Sequence, residues 1–162
     1  MIARILVPLD GSELAEKSVQ YALELARPAG AGIDLVQVVH AGLAAAPEAG
    51  QTEETRSLAE IAADARAYLD KVAAGVKAAG LAARTFAIEA ADAAAGIREV
   101  ARREKSDLIV MSTHGRSGLS KLLMGSVAQQ VLAETVLPVL LIRVERVRPP
   151  RIEEVDTILS AH

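Results

Sequence analysis

The 162 residues contain no cysteine and no tryptophan, and only one phenylalanine and two tyrosines. Without cysteine there are no disulfide staples, no thiolate metal sites and no thiol nucleophile. With aromatics at 2% of the chain, a stacking platform for single-stranded nucleic acid is excluded as well. An excess of one charge is also missing. Eighteen basic residues face 21 acidic ones, a net charge of −3, so nothing draws a phosphodiester backbone or an anionic membrane over a broad surface. Long apolar runs are absent despite a positive mean hydropathy of +0.27. A spanning helix needs about 20 mostly apolar residues in a row. The strongest runs, Ile5–Val7 and Val136–Ile142, are short, and Pro138 interrupts the second. Arg4 and Asp10 interrupt the amino-terminal apolar stretch, which lacks a signal-peptide layout. The expectation is a soluble, cytoplasmic protein.

What is present suits one globular domain. Hydrophobic residues make up 51% and charged residues 24%, so the core is built from Ala, Val, Leu and Ile. Apolar clusters recur in a regular rhythm. Ile2 to Leu9 is short and β-branched and ends at Asp10-Gly11-Ser12, a turn signal. Leu14, Ala15, Val19, Ala22, Leu23 and Ala26 then follow helical spacing, and Pro28, Gly30 and Gly32 end that run. Ile33 to Val39 reads as a second strand. Ala41 to Gln51 reads as a connection, and Leu58 to Val76 as a long helix stopped near Gly80. Arg84–Glu89, Asp107–Met111 and Val139–Val144 read as strands three to five. Helices at Ala93–Arg103 and about Ser126–Ala133 lie between them.

Strand alternating with helix predicts an α/β fold, an open parallel sheet of five strands with helices on both faces, and right-handed crossovers leave few topologies for it. The arrangement expected among these is Rossmann-like, with strand order 3-2-1-4-5. Such sheets bind ligands outside the carboxyl ends of their strands, at the point where strand order reverses. Functional residues are therefore expected just after strands one, two and four. The domain is expected over 1–144. Residues 145–162, opened by Pro149-Pro150, form a tail whose Ile152, Val155, Ile158 and Leu159 either fray or dock on a partner subunit.

The most informative stretch runs from Met111 to Gln130. It leaves a buried strand, passes through a loop rich in Gly and Ser, and re-enters a helix at Gly125-Ser126. Loop amides, hydroxyls, Arg116 and a helix N-terminus would make an anion cradle. The same residues admit a plainer explanation. Ser126 with Gln129 has the spacing of a capping box, and Gly115 and Gly118 could serve a tight loop. His114 could contact a phosphate or be satisfied by local backbone. No Gly-x-x-x-x-Gly-Lys-Ser/Thr loop, His-Glu-x-x-His or Gly-x-Ser-x-Gly motif occurs, and His40, His114 and His162 lack metal-ligand spacing. Glu53-Glu54 and Glu153-Glu154 read as solvated faces. No catalytic residue is assigned.

This segment resembles the signature of the universal stress protein family. Members that bind ATP carry Gly, two residues, Gly, nine residues, then Gly followed by Ser or Thr. Gly115 and Gly125-Ser126 match, while Ser112 stands where the first glycine is usual. Ile5–Ser12, Ser106–Met111 and Leu137–Ile142 look like the family's first, fourth and closing strands. A second departure is Glu89-Ala-Ala-Asp92-Ala93, where the family often has Gly-Asp-Pro; it affects the turn more than the site.

The resemblance implies ATP, or AMP or cyclic AMP, as cofactor. Contacts would come from Pro8, Leu9, Asp10, Val38, Met111, Ser112, His114, Gly115, Arg116, Gly125, Ser126 and Val127. Asp10 would touch ribose and lie near a phosphate-bound Mg²⁺, or else simply form the turn before the first helix. The Val38 backbone would recognise adenine. The family resemblance also implies a homodimer through the last strand. The expected function is a regulatory module whose nucleotide occupancy orders the loop after strand four. A nucleotide-free dimeric interaction protein and a slow adenine-nucleotide hydrolase are the alternatives.

Overall fold

The computed structural model describes residues 1–39, 57–113 and 124–143. Among these, five strands alternate with four helices. They are β1 (Arg4–Pro8), α1 (Glu13–Ala29), β2 (Gly32–Val39), α2 (Leu58–Ala78), β3 (Ala83–Glu89), α3 (Ala93–Arg103), β4 (Leu108–Ser112), α4 (Ser126–Glu134) and β5 (Val139–Ile142). All neighbouring strands pair in parallel, in the order β3-β2-β1-β4-β5. The fold is the one expected from the alternation.

Side-chain alternation splits the core in two. Ile5, Val7, Ile33, Leu35 and Val110 face α1 and α2, meeting Ala22, Ala26, Leu69 and Val76. Leu6, Val36, Val38, Ile109 and Met111 face α3 and α4, meeting Ile97, Val100, Ala128 and Val131. Both faces of the central strands are thus covered, which is why these strands read as continuous apolar runs rather than alternating ones. Each large side chain so buried contributes roughly 1.5–3 kcal/mol.

Local chemistry sets the helix ends. Ser12 Oγ accepts from the Ala15 amide, Ser57 and Glu60 form a reciprocal capping box, and Asp92 Oδ1 accepts from the Ala95 amide at 2.8 Å. Such caps contribute about 1 kcal/mol each. Helix α1 runs through Pro28 rather than stopping there. In the last turn a proline removes only one helical hydrogen bond, and the stop comes from Gly30, whose φ of 64° is left-handed. Strand β1 is tied down from below, since the Asp107 carboxylate accepts from the amides of Ala3 and Arg4 at 2.7 and 2.9 Å. Those bonds hold the Asp107 carboxyl below the usual aspartate range. Strand β5 is described to Ile142. Val144, the connection at 41–51, Glu53-Glu54, His40 and the tail at 145–162 lie outside the described residues.

Candidate functional site

Strand order reverses at β1, whose neighbours β2 and β4 lead the chain in opposite directions across the sheet. Strand β1 stops at Pro8 while β2 continues to Val39, so a gap opens over its carboxyl end. Register shows what faces that gap. Even-numbered residues of β2 bond toward β1, from the Gly32 amide on the Ala3 carbonyl to the Leu9 amide on the Val36 carbonyl at 2.8 Å. Val38 is the next residue of β2 to face that side and lies past the last of these bonds. Its backbone N–H and C=O therefore point over the end of β1, placed to pair with something other than a strand.

A cleft of about 460 Å³ occupies this position, within the size range of small-molecule sites. Pro8, Leu9 and Asp10 from the end of β1, Val38 from β2, and Met111 and Ser112 from β4 line it. So do Gly125, Ser126 and Val127 at the start of α4. Nine residues singled out from the sequence thus meet in one cavity. His114, Gly115 and Arg116 lie outside the described residues.

The start of α4 differs from a capping box. Gly125 is the cap residue and carries no side-chain cap bond, while Ser126 is already the first helical residue. The first intrahelical bond runs from the Gln129 amide to the Gly125 carbonyl at 3.0 Å. The amides of Ser126, Val127 and Ala128 precede it and have no intrahelical acceptor. All three residues line the cleft. A row of amides at the positive end of a nine-residue helix suits an anion. The helix is fixed to β4 by the Gly125 amide, which donates to the Thr113 carbonyl at 2.7 Å and closes the loop between them.

Asp10 forms the turn considered for it. Its Oδ1 accepts from the Ser12 amide at 3.0 Å and from Ser12 Oγ at 2.6 Å, an Asx turn that sets up the cap of α1. Asp10 also lines the cleft. One carboxylate beside an anion cradle fits Mg²⁺, which takes one or two carboxylates, phosphate oxygens and water. Among the described residues there is no group of three or more His, Cys, Asp or Glu that could hold a metal by themselves.

Sequence reasoning passed over Gln37, Thr113, Ala93 and Ile97, which also line the cleft. Gln37 carried a signal, being with Asp34 one of two polar residues inside an otherwise apolar strand. The alanine and isoleucine of α3 carried none, because helical apolar spacing marks a buried face without saying what it is buried against.

A doubly wound α/β domain with a cleft at its switch point and a helix N-terminus opening into it has the geometry of the Rossmann-like folds. Comparison with known proteins narrows the class. The model of the universal stress protein family matches residues 1–143, and the chain belongs to that family. It is 30% identical over 141 residues to a universal stress protein of Methanocaldococcus jannaschii, covering 86% of this chain and 81% of the relative. Its fold is similar to that of a universal stress protein solved in complex with cAMP, with a TM-score of 0.66 and 22% identity over 89% of this chain and 99% of the other. It is also similar to the Archaeoglobus fulgidus universal stress protein in complex with dAMP, with a TM-score of 0.63 and 23% identity over 88% and 99% of the two chains. No helix among the described residues is long and apolar enough to cross a membrane.

Proposed function

We propose that the cleft binds an adenine nucleotide, with ATP and Mg²⁺ as the leading ligand, and that the protein is a regulatory module rather than a dedicated catalyst. The observation that carries this reading is the start of α4, where three amides without intrahelical acceptors border the same cleft as Val38, whose backbone groups lie past the last β1–β2 bond. The α4 amides, the Ser126 hydroxyl and the loop bearing Gly115 would hold phosphates. The Val38 backbone would read the base, and Asp10 the ribose and Mg²⁺. The cAMP and dAMP complexes of similar proteins support the adenine class. Ser112 in place of glycine keeps a Cβ at the loop corner and offers a hydroxyl in return.

Occupancy would act by ordering the loop between Ser112 and Gly125. A partner that binds the ordered form better than the open one would then distinguish loaded from empty protein. Hydrolysis of ATP is incidental on this reading. The same chain would act as a homodimer through β5, which ends the sheet and has no further strand beside it among the described residues. Its Val139, Leu140 and Leu141 are only partly buried, and Val136 just before it is fully exposed.

Calorimetry with ATP and Mg²⁺, on protein refolded free of nucleotide, tests the proposal. One-to-one saturable binding is expected, weakened at least about tenfold by Gly125→Val, because a branched side chain would stand where phosphate meets the α4 amides. Gly125 has φ −59° and ψ 148°, which valine adopts without strain, so the fold survives the change. Absence of binding to ATP, AMP and cyclic AMP alike would overturn the reading and leave the nucleotide-free interaction protein in first place.

A further inference from the structure

Gln37 lines the cleft and is 8% exposed, and its Oε1, itself closed off from solvent, has no hydrogen-bond partner. Buried polar atoms in native proteins are nearly always paired, so an orphaned acceptor needs an explanation. Leu35 and Val39, the residues that alternate with Gln37 on this face of β2, pack into the apolar layer against α1 and α2. A valine or leucine would satisfy position 37 as a matter of packing. Gln37 pairs in register with Ala87 of β3, and Ala15 of α1 lines the same cleft. The group adjoins Val38, whose backbone faces the gap over β1.

We propose that Gln37 is a specificity-determining residue for the nucleobase, accepting a hydrogen bond from the exocyclic 6-amino group of adenine beside the Val38 backbone. The inference rests on the cleft being an adenine-nucleotide site. An unpaired acceptor calls for a donor. The donors of an adenine nucleotide are the 6-amino group and the ribose hydroxyls, and the function proposed above assigns the latter to Asp10. The terminal torsion of glutamine is soft, so the amide can turn its carbonyl into the cleft when the ligand arrives. Glutamine is a common partner of adenine for the same reason, since its amide matches the donor and acceptor along one edge of the base.

The test compares ATP with purine riboside triphosphate, which lacks only the 6-amino group, on the wild-type chain and on Gln37→Met. Methionine keeps the length and removes the amide. The wild type should prefer ATP, and the variant should lose about three- to tenfold of that preference, the worth of one hydrogen bond. Binding of purine riboside triphosphate should stay unchanged. The thermal midpoint should hold or rise, because an unpaired buried acceptor is being replaced by an apolar group of similar shape. An unaltered preference in the variant overturns the assignment while leaving the site intact. Equal loss for both ligands overturns it in favour of a ribose contact, and a lowered midpoint with unchanged binding makes Gln37 structural. A wild-type chain that binds neither ligand removes the site itself.

Discussion

Asp34 of β2 and Arg84 of β3 stand directly opposite each other in register, and the fully buried carboxylate receives Arg84 Nε at 2.8 Å and Nη2 at 2.7 Å. Arg4 of β1 adds a third bond from the other side at 3.1 Å. Three adjacent strands are thereby locked at the end of the sheet away from the cleft. The Asp34 hydrogen bond, the largest influence, holds the Arg84 guanidinium above its usual pKa. Arg84 and Arg103 also lie over the Phe86 ring, at 5.3 and 5.5 Å from its centroid.

The two partners should not respond alike to removal. Arg84→Met leaves a buried carboxylate with one bond from Arg4, and breaking a buried pair in this sense costs about 3–5 kcal/mol. Because Arg84 is 39% exposed, solvent reaches the pair and the lower end of that range is expected. Asp34→Asn removes the buried charge, and both arginines can turn to water, so the loss should be nearer about 1 kcal/mol. Urea unfolding of the two variants checks the order. Equal losses would mean that the Asp34 carboxylate is less buried in solution than its position indicates.

Gly96, in the middle of α3, has its Cα set against Val38. A Cβ there would lie 2.7 and 2.8 Å from the two Val38 methyls and 3.1 Å from the Ala90 Cβ. Valine is stiff at χ1 and cannot step aside as a long side chain would. Gly96→Ala should therefore cost about 1–3 kcal/mol by overpacking, although alanine is the better helix former. It should also push Val38 out of register with the cleft and weaken ATP binding several-fold. Chemical denaturation and ATP calorimetry on one preparation read both effects. Stabilisation without loss of affinity would show that β2 and α3 separate freely at this point.

Much of the architecture was legible because it follows from local pattern. Helix α3 matches its expected span residue for residue, since Asp92 caps its start and apolar spacing runs unbroken to the Arg102-Arg103 end. Alternation and handedness left few strand orders, and the observed β3-β2-β1-β4-β5 is the one expected among them. The cleft-lining part of the motif was legible through Gly125 and Ser126, but the capping box read from Ser126 and Gln129 does not form. Spacing shows that a Ser–Gln pair can cap, whereas the cap position itself depends on where β4 delivers the chain through the Thr113–Gly125 bond. Asp34 and Gln37 carried the same signal, which shows that a residue is exceptional but not what it meets. Each is one polar residue in an apolar strand, and only the order β3-β2-β1 brings Arg84 and Arg4 to the first and leaves the second facing a cavity.

Strand β5 supplies the last prediction. In its pairing with β4, the Ile109 amide donates to the Pro138 carbonyl and the Thr113 amide to the Ile142 carbonyl. Even-numbered residues of β5 thus face β4, and the N–H and C=O groups of Val139 and Leu141 point to the open edge. An edge with no strand beside it among the described residues, together with exposed Val136 and Leu132, is a ready template for a second copy of the same strand. The wild type should sediment at twice its 17.0 kDa chain mass at micromolar concentration. Val139→Pro removes one outward donor and none that β4 uses, so it should shift the equilibrium to monomer while the chain stays folded. Far-UV circular dichroism confirms the fold, and sedimentation equilibrium reads the mass. A proline variant that remains dimeric would place the interface elsewhere, and a monomeric wild type would remove it.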